Sequence, residues 1–126
     1  MQYMIKADEF NDLHDKLTQE LRRGVLVLAA LSQLREPKYG YALIDDLSQH
    51  GLDIEQGTLY PLLRRLEEQG LLESEWNVEG SRPRRYYVLS AAGRELLQLL
   101  QTDWEQLVQV MQVLLVDLEG ESHGTH

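Results

Sequence analysis

The side chains with chemistry to offer gather in two short stretches, GTLYPLLRRLEEQG at 57–70 and SRPRRYY at 81–87. On a helix, Gln56, Tyr60 and Arg64 lie four apart and share a face, with Arg65 beside them. An arginine fork can grip a guanine edge or a phosphate with two hydrogen bonds. A glutamine can read adenine, and the hydroxyls of Thr58 and Tyr60 can bond phosphate oxygens. The same arginines could instead pair with Glu67 and Glu68 on a solvated face, and this helix alone leaves both readings open. The second stretch tips the balance. Arg82, Arg84 and Arg85 crowd a turn-rich segment of a chain with 12 Lys+Arg against 21 Asp+Glu and a net charge of −9. Their mutual repulsion would be relieved by a polyanion, through phosphate or minor-groove contacts; a solvated loop is the plainer alternative. The acids lie elsewhere, with five and no base in residues 103–121.

Other chemistries find little support. His14, His50, His123 and His126 are scattered and stand at no recurring catalytic spacing. HGTH at the end could chelate a metal only weakly, and a frayed tail is the favoured account. Asp45-Asp46 and Glu67-Glu68 are adjacent, so on a helix they diverge and form no acid–base dyad. With no cysteine and no glycine-rich phosphate loop, no cofactor is implied and an enzyme is not expected. At 126 residues and 43% hydrophobic, the chain is long and apolar enough for one modest core. MQYMIKADEF has no signal-peptide core, and the apolar run Val25–Leu31 falls far short of the ~20 residues of a membrane span. The expectation is a soluble, cytoplasmic protein without a membrane partner.

The elements that must position these residues follow from periodicity. Phe10, Leu13, Leu17 and Leu21 mark one helical face, and VLVLAAL at 25–31 continues as a central buried helix, with Gly24 marking a bend. Glu36-Pro37 ends this element. Residues 39–51 predict a second helix, with Leu43 and Leu47 inward and Gly51 as its cap. A third begins between Glu55 and Thr58 and runs to Gly70 on a stripe of Leu59, Leu62, Leu63 and Leu66. LLESEW (71–76) and YYVL (86–89) alternate, predicting a β-hairpin whose long tip carries the arginines. Ser90 caps a last helix over 91–118, and 119–126 is expected to be a disordered tail. The order is mainly α with a small β-hairpin: a winged helix-turn-helix over residues 1–90 plus a long C-terminal dimerisation helix.

YGYALIDDL, EQGTLYPLLRRLEEQGLLESEW and RPRRYYVLSAAGREL closely resemble, in that order, the PadR family of bacterial transcriptional regulators, over about residues 20–107. The resemblance implies a winged helix that binds double-stranded palindromic operator DNA as a homodimer, usually as a repressor. Many members respond to phenolic acids, drugs or other aromatic effectors. Carried over by position, Tyr39 is a phosphate contact; Thr58, Tyr60 and Arg64 lie on the recognition helix; Arg82, Arg84 and Arg85 form the wing. In one departure, Glu55 stands where many members have a capping serine. A carboxylate suits a helix N-terminus, but it also brings negative charge near DNA and sets base contacts by Gln56 in doubt.

Leu97, Leu100, Trp104, Leu107, Met111, Leu114 and Leu118 alternate steps of three and four, a heptad stripe. Val108, Val110, Val113 and Leu115 widen it beyond what one small domain covers, so a homodimer is expected; the alternative is a helix folded back on its own core. Trp104 is either an anchor of that interface or the wall of a pocket for a flat aromatic molecule, and the two are compatible. Asp103 and Glu105 beside it favour a cationic aromatic. Two other readings stay open: a winged-helix protein-interaction module that uses the acidic surface, and a ligand-sequestering protein that has lost DNA binding.

Overall fold

The computed structural model describes residues 4–122, with side chains as far as residue 116. Four helices and a small antiparallel sheet follow one another as α1 (Ala7–Ser32), β1 (Lys38–Tyr39), α2 (Gly40–Gln49), α3 (Gln56–Glu68), β2 (Leu72–Asn77), β3 (Arg84–Leu89) and α4 (Ala91–Ser122). The sheet order is β1-β3-β2, which puts the second hairpin strand in the middle.

Leucine spacing drives the packing. Leu43 and Leu47 of α2, the four leucines of α3, Ala30 and Leu31 at the end of α1 and Leu34 just past it are buried in one cluster with Leu72, Tyr87, Leu89 and Leu97. Each large apolar side chain taken fully from water contributes ~1.5–3 kcal/mol, and here they lock helices and hairpin into one unit. Both short helices stop the same way. Gly51 and Gly70 take positive φ, the amide of the glycine bonds back to Ser48 or Glu67, and the following amide reaches Leu47 or Leu66. This double bond satisfies the last free carbonyls and needs the left-handed conformation that glycine adopts without penalty. Ser90 caps α4 through its hydroxyl, which accepts from the Gly93 amide at 3.0 Å and donates to the Gly70 carbonyl.

Several expectations are corrected. α1 passes through Gly24 as one uninterrupted helix, and Val25–Ala29 are half-buried rather than central. Tyr39 is the N-cap of α2, as its place at the start of the second helix implies, but it also belongs to β1, a two-residue strand paired with Tyr86 and Tyr87 of β3. Arg84 and Arg85 lie on β3, not in the connecting tip, because pairing to Asn77 and Trp76 extends the strand through them. Leu97, expected in a dimer seam, is 4% exposed and belongs to the chain's own core. α4 reaches Ser122, four residues past its expected end at Leu118, for a length of about 48 Å at 1.5 Å per residue. The Leu118 side chain and residues 123–126 of the expected tail lie outside the described residues. Pro61 sits inside α3, past its first turn, where its missing N–H leaves the Gly57 carbonyl without the usual i+4 amide partner.

Candidate nucleic-acid interface

α3 turns its leucines to the core and leaves Gln56, Thr58, Arg64 and Arg65 exposed, with Tyr60 half-buried among them. Glu55 occupies the N-cap position and makes no side-chain capping bond; its carbonyl alone accepts the Thr58 and Leu59 amides. Among the described residues, ion pairs join Lys38 to Asp46 and Arg85 to Glu67. Arg64 and Arg65 therefore do not discharge themselves on Glu67 or Glu68.

A cleft of about 360 Å³ lies between the front of α3, the start of α2 and the hairpin. Tyr39, Tyr60, Arg64, Arg84 and Arg85 all line it. Gln56, Thr58, Arg65 and Arg82 lie outside it. Thr58 borders a second cleft with Arg22 and Arg23, and Arg22 donates to the Asp53 carbonyl at 2.7 Å.

Two arrangements shape the main cleft. The rings of Tyr39 and Tyr41 stack 5.8 Å apart and 4° from parallel. The Arg84 guanidinium lies 5.6 Å from both centroids and donates to the Tyr41 hydroxyl at 3.1 Å. Asn77 donates to the Tyr39 hydroxyl at 2.7 Å, and Tyr86 packs edge-on against the same ring. Arg84 stays exposed, so this cradle costs it little hydration and leaves donors beyond the Tyr41 bond for a ligand. Arg85 behaves otherwise. Its Nε donates to Ser74 at 2.9 Å, its Nη2 to Glu67 at 2.8 Å, and its guanidinium lies 5.6 Å from the rings of Trp76 and Tyr87.

The flanking phenols are held protonated. Tyr86 donates to the Glu75 carboxylate, which raises its pKa, and burial raises that of Tyr87. Sequence reasoning missed Tyr41, Trp76 and Tyr87 as lining residues. The period-two spacing of Arg85 and Tyr87 was the available signal for Tyr87.

An exposed arginine fork beside tyrosine hydroxyls, on the open face of a helix, can hold phosphate and read base edges. Among the described residues there is no cluster of three or more metal-ligating side chains, and no helix long and apolar enough to cross a membrane.

Comparison with known proteins agrees with this geometry. The model of the transcriptional regulator PadR-like family matches residues 27–99, more than half of the chain. A transcriptional regulator of Mycobacterium tuberculosis is 37% identical over 106 residues, covering 83% of this chain and 94% of that protein. The crystal structure of a PadR family transcriptional regulator from Eggerthella lenta shares 50% identity, covers 86% of this chain and 97% of its own, and superposes with a TM-score of 0.80. A PadR-like transcriptional regulator from Bacillus cereus, 29% identical, covers 76% of this chain and 96% of its own with a TM-score of 0.69. These relatives regulate transcription rather than catalyse reactions, and the chain belongs to the PadR-like family as a DNA-binding transcriptional regulator with a winged helix and a single long C-terminal helix.

Proposed function

We propose that this regulator is a repressor that binds a palindromic operator as a homodimer, and that an aromatic effector seated against Trp104 alters its affinity. In this reading residues 1–90 form the DNA-binding unit and 91–118 the dimerisation helix. The observation that carries it is the single face on which Tyr60 and Arg64 of α3 meet Arg84 in its tyrosine cradle. Tyr39, Tyr60, Arg64 and Arg84 contact the duplex from the cleft, while Gln56, Thr58, Arg65 and Arg82 reach it from its exposed margins. Dimer symmetry would set two recognition helices one turn apart, ~34 Å, for successive major grooves. Their separation depends on how the two copies of α4 cross, so an effector between them that prefers one crossing shifts the population of DNA-competent dimers.

The test is a titration of labelled duplex from the region upstream of the protein's own coding sequence, at several salt concentrations. Arg64→Ala is expected to weaken binding by about 5- to 150-fold, the range of ~1–3 kcal/mol for an arginine that contacts DNA. Arg22→Ala, whose side chain is spent on the Asp53 carbonyl, should lose much less. Equal losses, or binding indifferent to salt, would count against the reading.

A further inference from the structure

Arg85 is the arginine least free to meet DNA. Its guanidinium bonds across two elements at once: to Ser74 on β2 and to Glu67 in the last turn of α3. Ser74 in turn donates its hydroxyl to the other oxygen of Glu67, closing a three-membered ring of hydrogen bonds. Both ends of the ion pair are about one-third exposed or less, at 34% and 26%, and the rings of Trp76 and Tyr87 flank the guanidinium. The placement of Glu67 is otherwise hard to explain. A carboxylate near a helix C-terminus faces the negative end of the macrodipole, and near DNA it repels phosphate. Its worth lies in the partner it holds.

We propose that Arg85, Ser74 and Glu67 form a strut that fixes the angle of the wing to the recognition helix, so that Arg85 is a positioning residue while Arg84 makes the contact. The proposal rests on the DNA-binding reading above. The covalent link between α3 and the hairpin is the short turn Gln69–Leu71, and the ring, whose Arg85 lines the cleft, ties the two elements a second time. A fixed angle matters because α3 and the wing must reach one rigid duplex together, and misplacement by about an ångström forfeits aligned contacts. Alternation along β3 divides the labour: Arg85 shares its face with the buried Tyr87, and Arg84 turns the other way into the tyrosine cradle.

The experiment measures anisotropy of the same labelled upstream duplex, across a salt series, for Glu67→Gln, Arg85→Ala, Arg85→Lys, the double variant Glu67→Gln/Arg85→Ala, and Arg84→Ala. Electrostatics alone requires Glu67→Gln to tighten binding, since it removes a negative charge. The strut requires it to weaken binding, by about tenfold for a lost charge-assisted bond. Arg85→Ala should cost a similar factor, and the double variant no more than either alone. Arg85→Lys should also lose affinity, because one ammonium cannot reproduce the fork to both partners. In all four the slope of log affinity against log salt stays at the wild-type value, whereas Arg84→Ala lowers it by about one per subunit. Tighter binding by Glu67→Gln, additive losses, or a reduced slope for Arg85→Ala would each overturn the strut. If the wild-type protein shows no salt-dependent binding, the DNA reading itself fails. Hydrogen exchange of hairpin amides in the free protein then still decides the strut: faster exchange in Glu67→Gln supports it, and unchanged exchange refutes it.

Discussion

Room, not backbone torsion, fixes the residue at Gly40. It is not among the positive-φ glycines, yet a Cβ built on it would run into the ring of Tyr60. In a helix interior alanine is favoured over glycine by ~1 kcal/mol, so Gly40→Ala at the start of α2 meets two opposed terms. The obstacle is the half-buried ring of Tyr60, which lines the cleft, so the clash is expected to displace that ring rather than backbone. Stability should therefore change little while the recognition surface deforms. Gly40→Ala is expected to keep a thermal midpoint within a few degrees of wild type and to lose about tenfold in affinity for the upstream duplex, the scale of one disturbed contact residue. Unchanged affinity would mean that Tyr60 need not stand where it does. A collapsed midpoint would mean that its ring is wedged after all.

At the scale of elements, α3, the hairpin and α4 meet closely at one junction. A Cβ on the buried Gly93 would strike the backbone carbonyl of Leu71. That carbonyl accepts the Ser90 amide at 3.0 Å, and the Leu71 amide is tied to Leu66 at 2.9 Å, so it has nowhere to go. Gly93→Ala should cost about 2–3 kcal/mol by overpacking, seen as a drop of roughly 10 °C in a thermal melt. A melt like wild type would show that α4 can shift on the hairpin. The leucine stripes of α2 and α3, their terminal glycines and the hairpin were legible in the sequence because each is written within a few residues at a fixed period. β1 was not, since two residues carry no period and the strand exists only by pairing with β3. The assignment of Arg84 and Arg85 to a tip failed for a related reason: turn residues mark where a hairpin bends, but the register decides how far pairing extends. Glu67 and Arg85 lie 18 residues apart, and no local signal joins them.

For the whole molecule, the heptad stripe of α4 changes character along its length. Leu97 is buried and Leu100 packs on the core, but Trp104, Leu107, Met111 and Leu114 are 44–58% exposed. Phe10, Leu13, Leu17 and Leu21 on α1 are likewise exposed in the single chain. So much exposed apolar surface on two long helices of a small domain is what a second copy would cover under the proposed dimer. Taking each half-exposed leucine or methionine out of water adds on the order of 1 kcal/mol, whereas a carboxylate in the same seam must be desolvated at a cost of several. Leu107→Glu/Met111→Glu tests this without weakening the helix, since glutamate, leucine and methionine have similar helix propensities. Sedimentation should find the wild type at twice the chain mass and the variant at one, with its affinity for the upstream duplex lost. The same variant reads the effector site when placed in a Trp76→Phe background, where Trp104 is the remaining tryptophan of two. A planar cationic dye, favoured by Asp103 and Glu105, should quench Trp104 in the dimer and not in the monomer, because the proposed pocket needs walls from both subunits. Quenching that persists in the monomer would relocate the site to a single chain. A wild-type protein that sediments as a monomer would remove the half-site geometry, and with it the palindromic operator.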